Sequence, residues 1–270
     1  MAPDVRTFTL NTGDEMLAVG FGTWNIPRYQ AAKAVETALR AGYRHIDTAP
    51  AYGNEREVGA GICASGVPGE EIWISGKLRN NWHKHASQDA DNPTVCYKDW
   101  DFVDTWIEME ELLHEGKVMN IGVSNFGIQQ LETLLNDPWT EIVPAVDQIE
   151  LHPCNPSPKL VAYCTSQDIH TEGYSCLGSG RSALYRNKTL VDIADAKEKT
   201  VHQVLLQRGI EKGWGVVCKS VTPSRIESNL ELGGWELTDD EMEAIDGIKE
   251  RLKAVGDGFL PIRVFFGDDE

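Results

Sequence analysis

An aspartate, a tyrosine and a lysine stand close to the ends of two predicted strands in the first third of the chain. They are Asp47, Tyr52 and Lys77. A lysine held beside a tyrosine lowers the pKa of the phenol, and a carboxylate can hold that lysine in place. Such a trio can donate a proton to a carbonyl oxygen while a hydride reaches the carbonyl carbon. The alternative is an ordinary ion pair at the strand ends with a tyrosine nearby.

Alternating strands and helices must position these residues. Strands are predicted at Gly20–Trp24, His45–Thr48, Ile72–Ser75, Asn120–Val123, Ala145–Ile149, Ile169–Tyr174 and Gly215–Cys218. A hairpin is predicted from Thr7–Leu10 and Met16–Val19, and the clearest helices run from Tyr29 to Gly42, from Asp104 to Glu115 (with Trp106, Met109 and Leu113 inward) and from Thr200 to Glu211. Such alternation predicts a parallel sheet with right-handed crossovers. Because no glycine-rich dinucleotide fingerprint follows the first strand, a closed (β/α)8 barrel of the TIM type is favoured over an open doubly wound sheet.

The predicted barrel is interrupted after Lys77. Residues 79–93 contain almost nothing apolar, and Thr94–Tyr97 is the sole candidate strand before the helix that starts near Asp104. A helix, a strand and a second helix would be needed in this interval. We therefore expect one barrel domain over residues 1–270 that is incomplete or irregular around its fourth strand–helix unit.

Composition excludes several classes of function. The formal net charge of −17 argues against nucleic acid and anionic membrane surfaces as partners. No apolar run approaches the length of a membrane span, and the first residues lack the pattern of a signal peptide. The six cysteines lie far apart without a CxxC pair, which favours reduced thiols over disulfides or a metal site. These features predict a cytoplasmic protein whose partner is a small-molecule substrate.

Five motifs, in the same order along the chain, resemble the aldo-keto reductase family over nearly the whole sequence. They are Gly20–Trp24, Asp47–Tyr52, Ile121–Phe126, Gln148–Pro153 and Lys219–Arg225. The resemblance implies a (β/α)8 barrel that binds NADPH in an extended form without a Rossmann domain. It also implies a catalytic tetrad of aspartate, tyrosine, lysine and histidine.

Three members of that tetrad match Asp47, Tyr52 and Lys77, but the histidine has no match. In the family it ends the fourth strand, and this is the unit that the sequence lacks. His83 and His85 align just after the lysine, so they are poor substitutes. Since the family's histidine orients the substrate carbonyl, its loss should weaken ordinary carbonyl reduction by a few kcal/mol.

The resemblance also implies a cofactor site, made of three groups of residues. Thr23 and Trp24 follow the first strand, and Trp24 is a candidate wall of the substrate pocket, with core packing as the alternative. Carboxamide and nicotinamide contacts fall to Ser124, Asn125, Gln148, Tyr174, Ser175 and Leu177. Contacts with the adenosine end fall to Lys219, Ser220, Val221, Thr222, Arg225 and Asn229.

The adenosine end can also be interpreted from its own residues. Thr222 can cap a helix that begins with Pro223, and backbone N–H groups at such a start attract an anion. Lys219 and Arg225 suit a 2′-phosphate, which Arg225 can bind bidentately. The alternative is a surface helix with solvated cations. Cys218 replaces a usual proline of the family, and Ser228 replaces a usual acidic contact.

Three functions remain open on the sequence alone. The first is an NADPH-dependent oxidoreductase that reduces a carbonyl or another polarised double bond, with Tyr52 as proton donor. The second is a redox-neutral cyclase, isomerase or lyase of a biosynthetic pathway, favoured by the missing histidine and by Arg79 and Cys176 in place of the family's aromatic residue and proline. The third is a non-catalytic NADPH-binding protein, against which the intact trio argues.

Overall fold

The computed structural model describes residues 6–78, 101–180 and 182–255, apart from the side chains of residues 182 and 183. The strands in these ranges are β1 (Thr7–Thr9), β2 (Glu15–Leu17), β3 (Val19–Gly22), β4 (His45–Asp47), β5 (Trp73–Ser75), β6 (Val123–Ser124), β7 (Val146–Glu150), β8 (His170–Tyr174) and β9 (Gly215–Cys218). The α-helices are α1 (Arg28–Ala41), α2 (Glu55–Ser65), α3 (Phe102–His114), α4 (Ile128–Leu135), α5 (Pro158–Ser166), α6 (Ser182–Arg186), α7 (Lys188–Ala196), α8 (Val201–Glu211), α9 (Pro223–Ser228) and α10 (Asp239–Asp246). No helix in the described ranges is both long and apolar enough to span a membrane.

Seven of these strands form one parallel sheet in the order β5-β4-β3-β9-β8-β7-β6, and β1 and β2 form a separate antiparallel hairpin. The sheet curls into part of a barrel with helices on its outer face, as the sequence predicts. Among the described residues, β5 pairs only with β4 and β6 only with β7. These end strands are the ones that precede and follow the interval in which the sequence predicts the barrel to be interrupted. The candidate strand Thr94–Tyr97 lies outside the described residues.

The main core lies between the middle of the sheet and the helices α1, α2 and α9. Phe21 on β3, Ile46 on β4 and Val216 on β9 are buried there against Val35 of α1. Helix α1 ends as predicted, at Gly42, whose backbone N–H donates to carbonyls of the last turn. Burial of these aliphatic and aromatic side chains is what holds the strand ends in register.

Helix α3 is the first element after the interruption. Asp101 caps its start by accepting hydrogen bonds from two backbone N–H groups, and Asp104 closes a capping box. Trp106 is buried as predicted, whereas Met109 and Leu113 are only partly buried. The helix packs on α4 and on the segment before β6. Fewer of its apolar side chains are therefore fully buried than the hydrophobic periodicity of its sequence predicts.

Strand β6 departs furthest from its predicted bounds, whereas the other predicted elements within the described residues differ by at most two residues at either end. The prediction was Asn120–Val123, and the strand is Val123–Ser124. The side chain of Asn120 donates to Asp14 Oδ2 at 2.7 Å and accepts from the Thr12 hydroxyl at 2.6 Å. Asn120 is thus bound to the turn of the β1–β2 hairpin, and regular pairing starts only beyond it.

Candidate active site

Asp47, Tyr52 and Lys77 come together at the carboxyl ends of β4 and β5. Asp47 is the last residue of β4, Tyr52 closes a 3-10 turn over Pro50–Tyr52, and Lys77 follows β5. Lys77 Nζ donates to Asp47 Oδ1 and to the backbone carbonyl of Thr48, the latter at 3.3 Å. The same ammonium lies 5.3 Å from the centroid of the Tyr52 ring. The lysine therefore stands between the carboxylate and the phenol.

The turn that carries Tyr52 is fixed to the start of the sheet by buried hydrogen bonds. Asn54 Nδ2 donates to the carbonyls of Thr23 and Ile26, both at 3.0 Å. The Thr23 hydroxyl donates to the carbonyl of Asp47 at 2.9 Å. Arg28 donates to the carbonyl of Gly53. These bonds, all made by residues that precede Lys77, place the tyrosine.

Lys77 lowers the pKa of Tyr52 as predicted, but other contributions outweigh this effect. Burial raises the pKa of Tyr52, and the charge of Asp47 raises it further, while Lys77 acts in the opposite direction and is outweighed. The predicted influence of Lys77 has the right sign, but the burial that outweighs it depends on the tertiary structure. For Lys77, burial lowers the pKa, but Asp47 and Tyr52 together raise it above its ordinary value. At neutral pH the site thus holds a protonated phenol beside an ammonium group.

A second group lies at the ends of β6, β7 and β8, where the predicted carboxamide contacts are found. Asn125 has a left-handed backbone, with φ of 60°, and its N–H donates to the Gln148 carbonyl at 3.0 Å. The Ser124 hydroxyl donates to the same carbonyl at 2.9 Å. Tyr174 donates its hydroxyl to Asn125 Oδ1 at 2.7 Å.

One hydrogen bond joins this second group to the trio. Gln148 Nε2 donates to Asp47 Oδ1 at 2.9 Å, the same oxygen that accepts from Lys77. Gln148 and Asp47 are both buried. The candidate proton donor and the candidate carboxamide contacts therefore belong to one connected site.

The third group follows β9. Lys219 and Arg225 are exposed there, on either side of the start of α9. Thr222 occupies the N-cap position, but its side chain makes no capping hydrogen bond, so the predicted cap is wrong in that respect. Instead the Thr222 backbone N–H donates to the Ser220 hydroxyl at 3.1 Å, which draws the turn together. Two exposed cations beside a helix start, in a chain of net charge −17, fit a phosphate ester.

The remaining predicted residues lie around these groups. Trp24 is 41% exposed, which rules out the alternative that it packs in the core, and Val221 is also 41% exposed. The Ser175 hydroxyl lies 2.9 Å from that of Ser179, and the Leu177 carbonyl accepts from Tyr185. Asn229 is buried at the end of α9. Arg79, His83 and His85 lie outside the described residues.

Comparison with known proteins identifies the relatives of this fold and site. The model of the aldo/keto reductase family matches residues 18–95 and 94–250. The chain belongs to the aldo-keto reductase family. Aldehyde reductase YPR1 of Saccharomyces cerevisiae is 34% identical over 90% of this chain and 91% of its own length. Glycerol 2-dehydrogenase (NADP(+)) of the same yeast is 33% identical over 96% of this chain and 97% of its own length.

Solved structures agree with this assignment. The crystal structure of an aldo/keto reductase from Brucella melitensis superposes with a TM-score of 0.78 at 35% identity, over 90% of this chain and 98% of that one. This protein is therefore an oxidoreductase of the aldo-keto reductase type. The alignment with YPR1 runs over 285 positions, although this chain has 270 residues, so part of the relative's sequence has no counterpart here. The two stretches matched by the family model meet near residue 95, inside the interval where the sequence predicts the barrel to be interrupted.

Several buried polar residues of this aldo-keto reductase are not predicted from its sequence. On β8, Glu172 contacts Gln148, and His45 of β4 lies beside Glu172. On β7, both oxygens of Glu150 accept backbone N–H groups of residues 254 and 255, and Glu150 also contacts His152 at 2.9 Å. A signal was present, because polar residues recur at every second position of strands that are otherwise buried.

Proposed function

We propose that this aldo-keto reductase is NADPH-dependent and reduces a carbonyl, or another polarised double bond, of a small molecule with Tyr52 as the proton donor. The observation that carries the proposal is the hydrogen bond of 2.9 Å from Gln148 Nε2 to Asp47 Oδ1. It ties the residues suited to a nicotinamide carboxamide to the residues suited to proton transfer. A site for cofactor binding alone would have no use for a buried lysine beside a tyrosine.

The residues present fit NADPH. Ser124, Asn125 and Gln148 would hold the carboxamide, and Tyr174 offers a ring for the nicotinamide. Lys219 and Arg225 would hold the 2′-phosphate, with Ser220, Val221, Thr222 and Asn229 around the adenosine. When bound, NADPH supplies a hydride to the electrophilic carbon of the substrate.

Tyr52 supplies the proton in this proposal. Its raised pKa keeps the phenol protonated at neutral pH, so the proton is present when a substrate oxygen arrives. As the oxygen becomes negative, Tyr52 transfers that proton and becomes a phenolate. Lys77, which remains charged, then stabilises the phenolate, and Asp47 keeps the ammonium in place.

Within the described residues, the substrate oxygen has one fewer hydrogen-bond donor than the family pattern provides. Among the described histidines, His45, His152, His170 and His202 contact Ser75, Glu150, Gly215 and Tyr185, and none follows a fourth barrel strand. We therefore expect reduction of unactivated ketones to be slow, by an amount equivalent to a few kcal/mol. Aldehydes, whose carbonyl carbon is more electrophilic than that of ketones, are the better first substrates to assay.

Titration with NADPH, followed by quenching of tryptophan fluorescence, tests the cofactor half of the proposal. The wild type is expected to bind in the micromolar range, and Arg225→Ala to bind at least roughly tenfold more weakly because it loses a charge-assisted bond to phosphate. Arg40→Ala is the matched control, since Arg40 is exposed in the last turn of α1, away from the strand ends that form the site. Absence of binding by the wild type would overturn the proposal and favour redox-neutral chemistry at Tyr52.

A further inference from the structure

Two ionisable side chains in the barrel interior are not needed for the proton transfer described above. His45 and Glu172 have side chains that are 0% and 3% exposed. They lie on β4 and β8, each two positions before a residue of the site, Asp47 and Tyr174. A buried carboxyl and a buried imidazole both lose hydration, so such a pair is retained only where the surroundings compensate that cost.

Small residues on the two strands between β4 and β8 leave room for this pair. A Cβ atom at Gly20 of β3 would lie 2.9 Å from His45 Nδ1. A Cβ atom at Gly215 of β9 would lie 3.3 Å from Glu172 Cγ. A larger residue at Gly20 would clash with the His45 ring, and one at Gly215 would crowd Glu172 together with Met16 and His170.

Glu172 acts on the site through Gln148. Gln148 Nε2 donates to Glu172 Oε2 at 2.6 Å and to Asp47 Oδ1 at 2.9 Å. An amide nitrogen carries two N–H donors, and here each one faces a carboxyl group. The nitrogen must therefore point toward the two carboxyl groups, which leaves the amide oxygen as the group that Gln148 can offer a ligand.

His45 supports Glu172 from the other side. Its Nε2 contacts the Ser75 hydroxyl at 2.9 Å, while Nδ1 faces Glu172 Oε1 at 3.6 Å. Ser75 in turn accepts from Trp73 Nε1 at 3.3 Å. The 3.6 Å approach is longer than a hydrogen bond, so His45 packs beside Glu172, and the hydrogen bond that holds the Glu172 carboxyl is the one from Gln148 on β7.

From this geometry we infer that Glu172 is a positioning residue: it orients the Gln148 amide so that its oxygen accepts from the N–H2 group of the nicotinamide carboxamide. The inference rests on the proposed function. If Glu172 is replaced by an apolar residue, one N–H of Gln148 loses its acceptor and the amide is free to rotate. Binding of the nicotinamide half of the cofactor then weakens, whereas binding of the adenosine half, at Lys219 and Arg225, does not change.

The experiment compares two ligands and three variants. NADPH contains the carboxamide, and adenosine 2′,5′-bisphosphate contains only the adenosine and its phosphates. Glu172→Met removes the acceptor at similar volume, and Glu172→Gln keeps an oxygen that can accept from Gln148. Thr171→Val is the control, because Thr171 is an equally buried neighbour on β8 that faces the opposite side of the sheet.

We expect Glu172→Met to bind NADPH roughly tenfold more weakly, the equivalent of one lost hydrogen bond, and to bind the bisphosphate as the wild type does. Glu172→Gln should stay within about threefold of the wild type for both ligands. Thr171→Val should match the wild type. Unchanged NADPH affinity in Glu172→Met would refute the inference, and so would equal loss of both ligands, which would indicate a merely structural role.

A second measurement needs no cofactor. In 15N-labelled protein, the side-chain N–H2 resonances of Gln148, assigned with a Gln148→Leu variant, should be protected from solvent exchange in the wild type and in Glu172→Gln. Glu172→Met should lose that protection at one of the two N–H positions. Retained protection would show that Glu172 does not fix the amide. If the wild type binds neither ligand, the proposed function fails together with this inference, whereas binding of both ligands by every variant with wild-type affinity overturns the inference alone.

Discussion

The middle strands of the sheet and its two end strands are built differently. All residues of β3 and β9 are buried, and β7 is buried over its last four residues. The end strands β5 and β6 are two or three residues long and have no buried residue. Hydrophobic stabilisation therefore comes mainly from the middle of the sheet.

The residues of the candidate active site are not confined to the middle strands. Lys77 extends from the end strand β5, and Ser124 is the last residue of the other end strand, β6. Asp47 and Gln148 lie one strand further in, and they connect the two sides through their hydrogen bond. The comparison shows that residues at the two edges of the described sheet are placed by contacts that reach across its interior.

The largest expected effect is on turnover. Tyr52→Phe should lower the rate of carbonyl-dependent NADPH oxidation by roughly 10²–10⁴-fold, because the proton donor is lost, while NADPH affinity and thermal stability stay near wild type. Tyr163→Phe, on α5, is the matched control and should keep wild-type activity. Loss of activity in this control would indicate that the assay reports damage to the fold. Full turnover by Tyr52→Phe would exclude Tyr52 as the donor.

The next largest effect is on stability in the middle of the sheet. Ile46 on β4 is 0% exposed, so Ile46→Ala should lower the free energy of unfolding by about 2–5 kcal/mol through lost burial and the cavity left behind. Urea unfolding followed by circular dichroism measures it. A loss below about 1 kcal/mol would contradict the view that the middle of the sheet carries the stability.

A pH-dependent effect is expected from Asp147, which pairs with Val123 of the end strand β6 on one side and with Thr171 of β8 on the other. Burial raises the pKa of Asp147 to about 8. Since an unfolded aspartate titrates near roughly pH 4, the folded protein keeps a proton between about pH 4 and 8 that the unfolded chain has released. The free energy of unfolding should therefore fall with rising pH across that window, by at most about 1.4 kcal/mol per unit, and level off above it.

Asp147→Asn removes this titration, and urea unfolding at several pH values from about 5 to about 9 tests it. The difference in stability between variant and wild type should grow with pH and then become constant. A difference that is the same at every pH would mean that Asp147 does not change its protonation state in this range. Asp168→Asn, on an exposed turn after α5, serves as the control.

The smallest effect is expected at the edge. Ile74 of β5 is the register partner of Ile46 but is 54% exposed. Ile74→Ala should change the free energy of unfolding by no more than about 0.5 kcal/mol, in the same urea experiment. A loss close to that of Ile46→Ala would mean that the outer face of β5 is covered in solution, and the contrast between middle and edge would disappear.

Much of this arrangement follows from local sequence signals. Strand β9 has the predicted bounds because Gly215 and the following apolar residues form a short buried run. Gly42 marks the end of α1, and Thr200 caps α8 with Gln203 in a capping box. In each case the decisive interaction lies within a few residues of the element itself.

What could not be predicted depends on distant contacts. Asn120 leaves the predicted strand because it binds the hairpin turn, whose residues lie more than a hundred positions earlier. The pKa of Tyr52 rises because of burial, which only the assembled sheet creates. Glu172 and His45 meet across the interior from β8 and β4, so neither residue indicates its partner by spacing.

The exposure of the cofactor-end cations has a consequence for how the enzyme responds to ionic strength. Lys219 and Arg225 lie at the surface, whereas the bond from Lys77 to Asp47 is largely buried. Dissolved ions screen charges in water over about 8–10 Å but penetrate little into the interior. Added salt should therefore raise the KM for NADPH while leaving kcat almost unchanged, so that ionic strength alone separates capture of the cofactor from the chemical step.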